Sequence, residues 1–170
     1  MLILQYISNK QDSFKEGLKF IKKAGNKKVC YVTLNKSCDA IKDALKKKKI
    51  NSKNIFFIDA ISAVINTPKK VPGCTFAKAP YDLAGIKSKI KTAIKGGYTL
   101  VIFDSLSSLL AYGQRIPAGN HTLTKFIKSF EKDLGKNKGE TIFIVKSVDK
   151  ENFLIEETLS SFDKIRGGSK

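Results

Sequence analysis

The side chains best suited to chemistry stand at the ends of apolar runs. Leu100 to Phe103 is too short for a helix and closes on Asp104, with Ser105, Ser107 and Ser108 directly behind it. It reads as a buried strand whose C-terminal end delivers a carboxylate to a crevice, the place where doubly wound sheets bind ligands. Asn54 to Asp59 also ends on an acid, and Glu140 to Val145 leads out into Lys146 and Ser147. Asp104 and Lys146 are therefore the pair on which an unconventional small-molecule or nucleotide site would rest. The structural alternative is that Asp104 accepts hydrogen bonds from nearby serines or helix-end amides, and that Asp59 caps a turn.

Other chemistries are excluded by composition. His121 is the single histidine, so a histidine-based metal site cannot form within one subunit, and a Ser/His/Asp triad lacks its nucleophile elbow. It reads as part of the helix start at Thr122. Cys30, Cys38 and Cys74 are odd in number and have no CxxC spacing, which supports neither a disulfide framework nor a zinc knuckle. A reducing cytoplasm is the expected compartment. No G-x-G-x-x-G occurs, so a dinucleotide fold is not expected.

The elements that must position these residues follow from periodicity. Leu2 to Ile7 is a first strand, and Ser13 to Glu16 has the form of a capping box ahead of Phe14, Leu18 and Ile21 at helical spacing. Lys28 to Leu34 is a second strand, followed by a helix capped by Ser37 or Asp39. The stretch from Asp59 to Pro80 is irregular, with a short strand at Cys74 to Ala77. A helix opened by Tyr81 or Asp82 buries Leu83, Ile86, Ile90 and Ile94, and a later one buries Leu123, Phe126, Ile127 and Phe130. Asp149 to Phe162 reads as a last helix, and Asp163 to Arg166 as an edge strand. The alternation predicts an α/β fold: a three-layer, doubly wound, mostly parallel sheet with helices on both faces. One domain over residues 1–166 is expected, with 167–170 as a tail.

The 170 residues suffice for a core without metal or disulfides, and no apolar stretch is long enough to cross a membrane. The outlying property is charge: 32 Lys and Arg against 15 acids give a net charge of +17. An excess of this size attracts phosphate polymers without specifying a sequence, and the run Lys46, Lys47, Lys48 and Lys49 is its densest part. The plain alternative is a set of solvated helix faces.

The series YVTLNKS, FFIDAIS, VIFDSLSSLL and TIFIVKS, in that order across nearly the whole chain, resembles the RecA-like core of archaeal KaiC-like ATPases. The resemblance implies that Asp104 stands where the family's Walker B aspartate organises magnesium at the nucleotide phosphates. It also implies a phosphate loop after the first strand and paired glutamates after the second. Neither is present. Ser8 to Ser13 contains no glycine, and no G-K-[ST] occurs in the chain; the glutamate positions match Asn35 and Lys36, which cannot serve as a general base at neutral pH. Lys10 and Ser13 could be vestiges at a helix N-terminus, although Asp12 would repel an anion there.

ATP with magnesium is accordingly not an expected cofactor, and no other cofactor is expected. The leading expectation is a non-catalytic, degenerate RecA/KaiC-like module, a pseudo-ATPase, acting on an intact RecA-like ATPase partner or as a homo-oligomer. Its remnant nucleotide site would comprise Lys10, Ser13, Asp104, Ser105 and Lys146, with Asp104 as the metal ligand only if magnesium-nucleotide binding survives. The alternatives are a basic, sequence-tolerant nucleic-acid-binding protein using Lys46 to Lys49, and a nucleotide protein or enzyme with an unconventional site.

Overall fold

In the computed structural model, which describes residues 1–117, 121–135 and 139–167, seven strands form one sheet in the order β4-β3-β2-β5-β6-β1-β7. The strands are β1 (Leu2–Ile7), β2 (Val29–Thr33), β3 (Ile55–Asp59), β4 (Cys74–Phe76), β5 (Leu100–Asp104), β6 (Glu140–Lys146) and β7 (Lys164–Arg166). Every neighbouring pair is parallel. The helices are α1 (Ser13–Ala24), α2 (Cys38–Lys47), α3 (Ser62–Ile65), α4 (Leu83–Lys95), α5 (Leu106–Leu110), α6 (Thr122–Gly135) and α7 (Phe153–Glu156).

The sheet is covered on both sides because its inner strands are apolar in every register. Ile3, Tyr31, Ile102 and Ile144 point to one face, where Phe14, Leu18 and Ile21 of α1 and Ile41 and Leu45 of α2 pack on them. Leu4, Val32, Phe103 and Phe143 point to the other, against α4, α5, α6 and α7. This is the three-layer α/β architecture that the alternation of elements predicts. Phe103, Phe126, Phe130 and Phe143 form a continuous aromatic cluster, with Phe126 and Phe130 edge to face at 5.0 Å. No helix among the described residues is long and apolar enough to cross a membrane.

Two local expectations are corrected. The N-cap of α1 is Asp12, whose Oδ1 accepts from the Phe14 amide at 2.8 Å. Ser13 lies inside the first turn, and Glu16 pairs with Lys19 at 2.6 Å instead of closing a capping box. Aspartate caps as well as serine does, and this start places Phe14 on the sheet. The helix expected over Asp149 to Phe162 is broken into a 3-10 turn at Ser147–Asp149, the short α7 and a second 3-10 turn at Leu159–Ser161. The buried Thr158 explains the second break: its hydroxyl bonds back to the Ile155 carbonyl at 2.7 Å and competes with the helix ladder. Of the expected tail, residues 168–170 lie outside the described residues.

Candidate functional site

The topology brings the predicted residues to the C-terminal edge of the sheet. β1 and β2 are separated by β6 and β5, so α1 must cross those strands to connect them, and it packs against both. Its N-terminus therefore hangs over the end of β5. There Lys10, Ser13, Asn35, Lys36, Ser105 and Lys146 line one cleft of about 500 Å³, together with Asp12 and Asp149. Three ammonium groups face two carboxylates in this lining, which contains neither histidine nor cysteine.

Asp104 is not part of the lining. It is fully buried beneath the cleft, at 0% exposure. Its Oδ2 accepts from the Tyr31 hydroxyl at 2.5 Å; its Oδ1 meets no donor in good hydrogen-bond geometry among the described residues, although the Ser13 hydroxyl lies close enough to favour the carboxylate. Of the nearby serines, Ser13 acts on the carboxylate, whereas Ser105 Oγ caps α5 through the Ser108 amide at 3.2 Å and also meets Ser108 Oγ at 3.0 Å. Ser107 Oγ accepts from the Lys146 amide at 2.8 Å, tying β6 to α5. The peptide between Asp104 and Ser105 is cis. Burial raises the Asp104 carboxyl above its ordinary range, opposed by the nearby Ser13 and Tyr31 hydroxyls and the Lys36 ammonium.

Asp59 makes an instructive contrast. It too ends a strand at 0% exposure, yet it accepts from the Cys38 amide at 2.8 Å, the Ile61 and Ser62 amides at 3.0 and 2.9 Å, and Ser62 Oγ at 2.7 Å. Its capping role accounts for it completely. Asp104 has fewer donors, the Tyr31 and Ser13 hydroxyls, and no backbone amide.

The loop after β1 is closed on itself. Gln11 donates its amide to the Ser8 carbonyl at 3.0 Å and accepts from the Ser8 amide, through Oε1, at 2.7 Å. Asn9 Oδ1 accepts from Val148 at 2.7 Å, and Ser147 Oγ donates to the Ile7 carbonyl at 2.9 Å, so the loop is pinned to the exit of β6. A phosphate cradle needs its amides free and aimed at the ligand. Here the amides of Ser8, Gln11 and Phe14 are consumed within the protein. Asn35 Nδ2 donates to Ser108 Oγ at 2.9 Å, while Lys36 Nζ lies 3.7 Å from Asp12 Oδ2.

These residues do not fit a magnesium nucleotide. Asp104 Oδ1 alone would suit a cation, but Asp104 lies outside the cleft lining and its other oxygen is taken by Tyr31. The α1 terminus, where a phosphate would dock, carries the Asp12 carboxylate. Sequence reasoning missed Tyr31 as a partner of Asp104, because its aromatic ring in a strand reads only as core. Lys46 to Lys49 lie at the far end of α2; Lys48 and Lys49 line a separate cleft at the opposite edge of the sheet.

Asp104→Asn is expected to stabilise the protein at neutral pH. With the folded-state carboxyl raised, the folded state binds the extra proton, so stability falls as pH rises from the ordinary to the raised value. Asparagine escapes that cost and can still accept from Tyr31. A gain of about 0.5–2 kcal/mol is expected, the scale typical of relieving a destabilised site. Melts over a pH series should show the gain grow as pH rises from the ordinary to the raised value and vanish below the ordinary carboxyl range. A variant less stable at neutral pH would mean that the carboxylate serves the fold.

No protein-family model matches the sequence, and no curated protein matches it. Among solved structures the chain is similar to a KaiC-like protein of the hyperthermophilic archaeon Pyrococcus horikoshii OT3, with a TM-score of 0.63 and 14% identity over 92% of this chain and 67% of that one. The likeness agrees with the parallel seven-stranded sheet and, at this identity, speaks for the fold alone: the chain has the RecA-like three-layer α/β fold of a KaiC-like protein.

Proposed function

We propose that the chain is a non-catalytic RecA/KaiC-like module that works by binding, to an intact RecA-like ATPase or to further copies of itself, and not by nucleotide turnover. The observation that carries this reading is the Asp12 carboxylate on the α1 amides, at the spot where a transferred phosphate would need a positive terminus. Asn35 and Lys36, in the places where the resemblance implies glutamates, put no carboxylate at those positions to activate a water. Phosphoryl transfer depends on positioning and electrostatic stabilisation, and both are missing together.

The test is phosphate release from ATP with magnesium or manganese. Release at the no-protein background, unchanged in Asp104→Asn, is the expected outcome. Release above background that disappears in Asp104→Asn would overturn the reading.

A further inference from the structure

We propose that the cleft between the C-terminal ends of α1 and α2 binds the phosphodiester backbone of a nucleic acid without reading its bases. The cleft has a volume of about 420 Å³ and lies at the N-terminal edge of the sheet, below Val29 and Ile55. Lys22 and Lys27 enter it from α1 and the turn behind it, Lys48 and Lys49 from the end of α2. Its lining contains no Asp or Glu, and among the described residues no ion pair engages any of these four lysines. A second cleft of about 300 Å³ adjoins it through Lys27 and adds Lys23 and Arg166, against Glu140 as its one acid.

A solvated helix end accounts for Lys46 and Lys47, which suit the negative terminus of α2. It does not account for Lys49. That residue has φ +55°, in the left-handed region that favours glycine. The residue of positive φ behind α1 in the same cleft is a glycine, the C-cap Gly25, with φ +59°. The chain thus accepts a backbone cost at Lys49 and gains a fourth ammonium over the cleft.

The remaining lining defines the ligand. In the first cleft Asn26, Asn51 and Asn54 supply amide groups, and its lining holds no aromatic ring to stack a base and no arginine to read a guanine edge. The exposed large apolar residues, Val64, Ile65, Tyr81, Val148 and Phe153 among them, are absent from the lining, which leaves nothing to insert into a membrane. Recognition is by charge on a continuous chain of phosphates.

The test is fluorescence anisotropy of labelled single-stranded RNA and DNA oligonucleotides from about 50 mM salt upward, where counterion release makes the term largest. The full chain is compared with the cleft variant Lys22→Gln/Lys27→Gln/Lys48→Gln/Lys49→Gln. A control of equal charge, Lys15→Gln/Lys70→Gln/Lys125→Gln/Lys128→Gln, changes exposed lysines elsewhere. Affinity for RNA, DNA or both should fall at least about tenfold in the cleft variant and its salt slope should flatten by about 2–3, with little change in the control. Lys49→Gly should raise the melting temperature while weakening binding, which separates ligand contact from folding. Equal losses in cleft and control variants, unchanged affinity in Lys49→Gly, or no binding to either nucleic acid would each overturn the proposal. So would binding to phosphatidylserine vesicles alone through the same lysines.

Discussion

Asp59→Ala is expected to destabilise the protein by about 2–4 kcal/mol, the scale of leaving several buried neutral donors without their shared acceptor. The carboxylate receives the Cys38, Ile61 and Ser62 amides and Ser62 Oγ. Without it the buried Cys38 amide, at the first position of α2, loses its partner. The start of α3 loses its acceptor as well. Asp59→Asn keeps the volume but turns an NH2 group toward a ring of donors, so it should recover only part of the loss. Denaturant unfolding reads both. A loss under 1 kcal/mol for Asp59→Ala would mean that the carboxylate is not the anchor of these two helix starts.

Gly17→Ala is the second large effect. A Cβ at Gly17, inside α1, would lie 2.7 Å from the Tyr31 hydroxyl and 2.8 Å from its ring. Alanine ordinarily strengthens a helix by about 1 kcal/mol over glycine. Here overpacking by about 1–3 kcal/mol outweighs that gain, because Tyr31 is fully buried and held between Phe14 and Phe57. The hydroxyl cannot withdraw without giving up its hydrogen bond to the buried Asp104. In a Tyr31→Leu background the same Gly17→Ala change should become neutral or stabilising, since the obstructing ring is gone. A double-mutant cycle that finds no coupling between the two positions would contradict this packing.

Much of this arrangement was legible in the residues. The short apolar runs ending at Asp59, Asp104 and Lys146 lie on the sheet as three of its strands, because strands covered on both faces have no polar register to disguise them. The cleft gathered Lys10, Ser13, Ser105 and Lys146 because parallel strands deliver their C-terminal ends to one edge. Asp104 itself went below that cleft, and nothing local in VIFDSLSSLL tells a carboxylate facing solvent from one sealed under a helix. Its partner Tyr31 is 73 residues away in sequence, beyond any periodicity argument. Gly17 did carry a signal, since a glycine inside an amphipathic helix marks a close approach. The break at Thr158 was hidden because Phe153, Leu154, Ile155 and Leu159 are apolar at near-helical spacing, whereas the interruption comes from one side-chain hydrogen bond.

The proposed loss of magnesium-nucleotide binding from this RecA-like fold is tested by a heat-stability titration with ATP and magnesium. A ligand present at 100 times its dissociation constant stabilises by about 2.7 kcal/mol, which for a chain of this length raises Tm by roughly 5–10 °C. No magnesium-dependent rise is expected for the wild-type protein or for Asp104→Asn. A rise of that size at micromolar ATP, lost in Asp104→Asn, would contradict it.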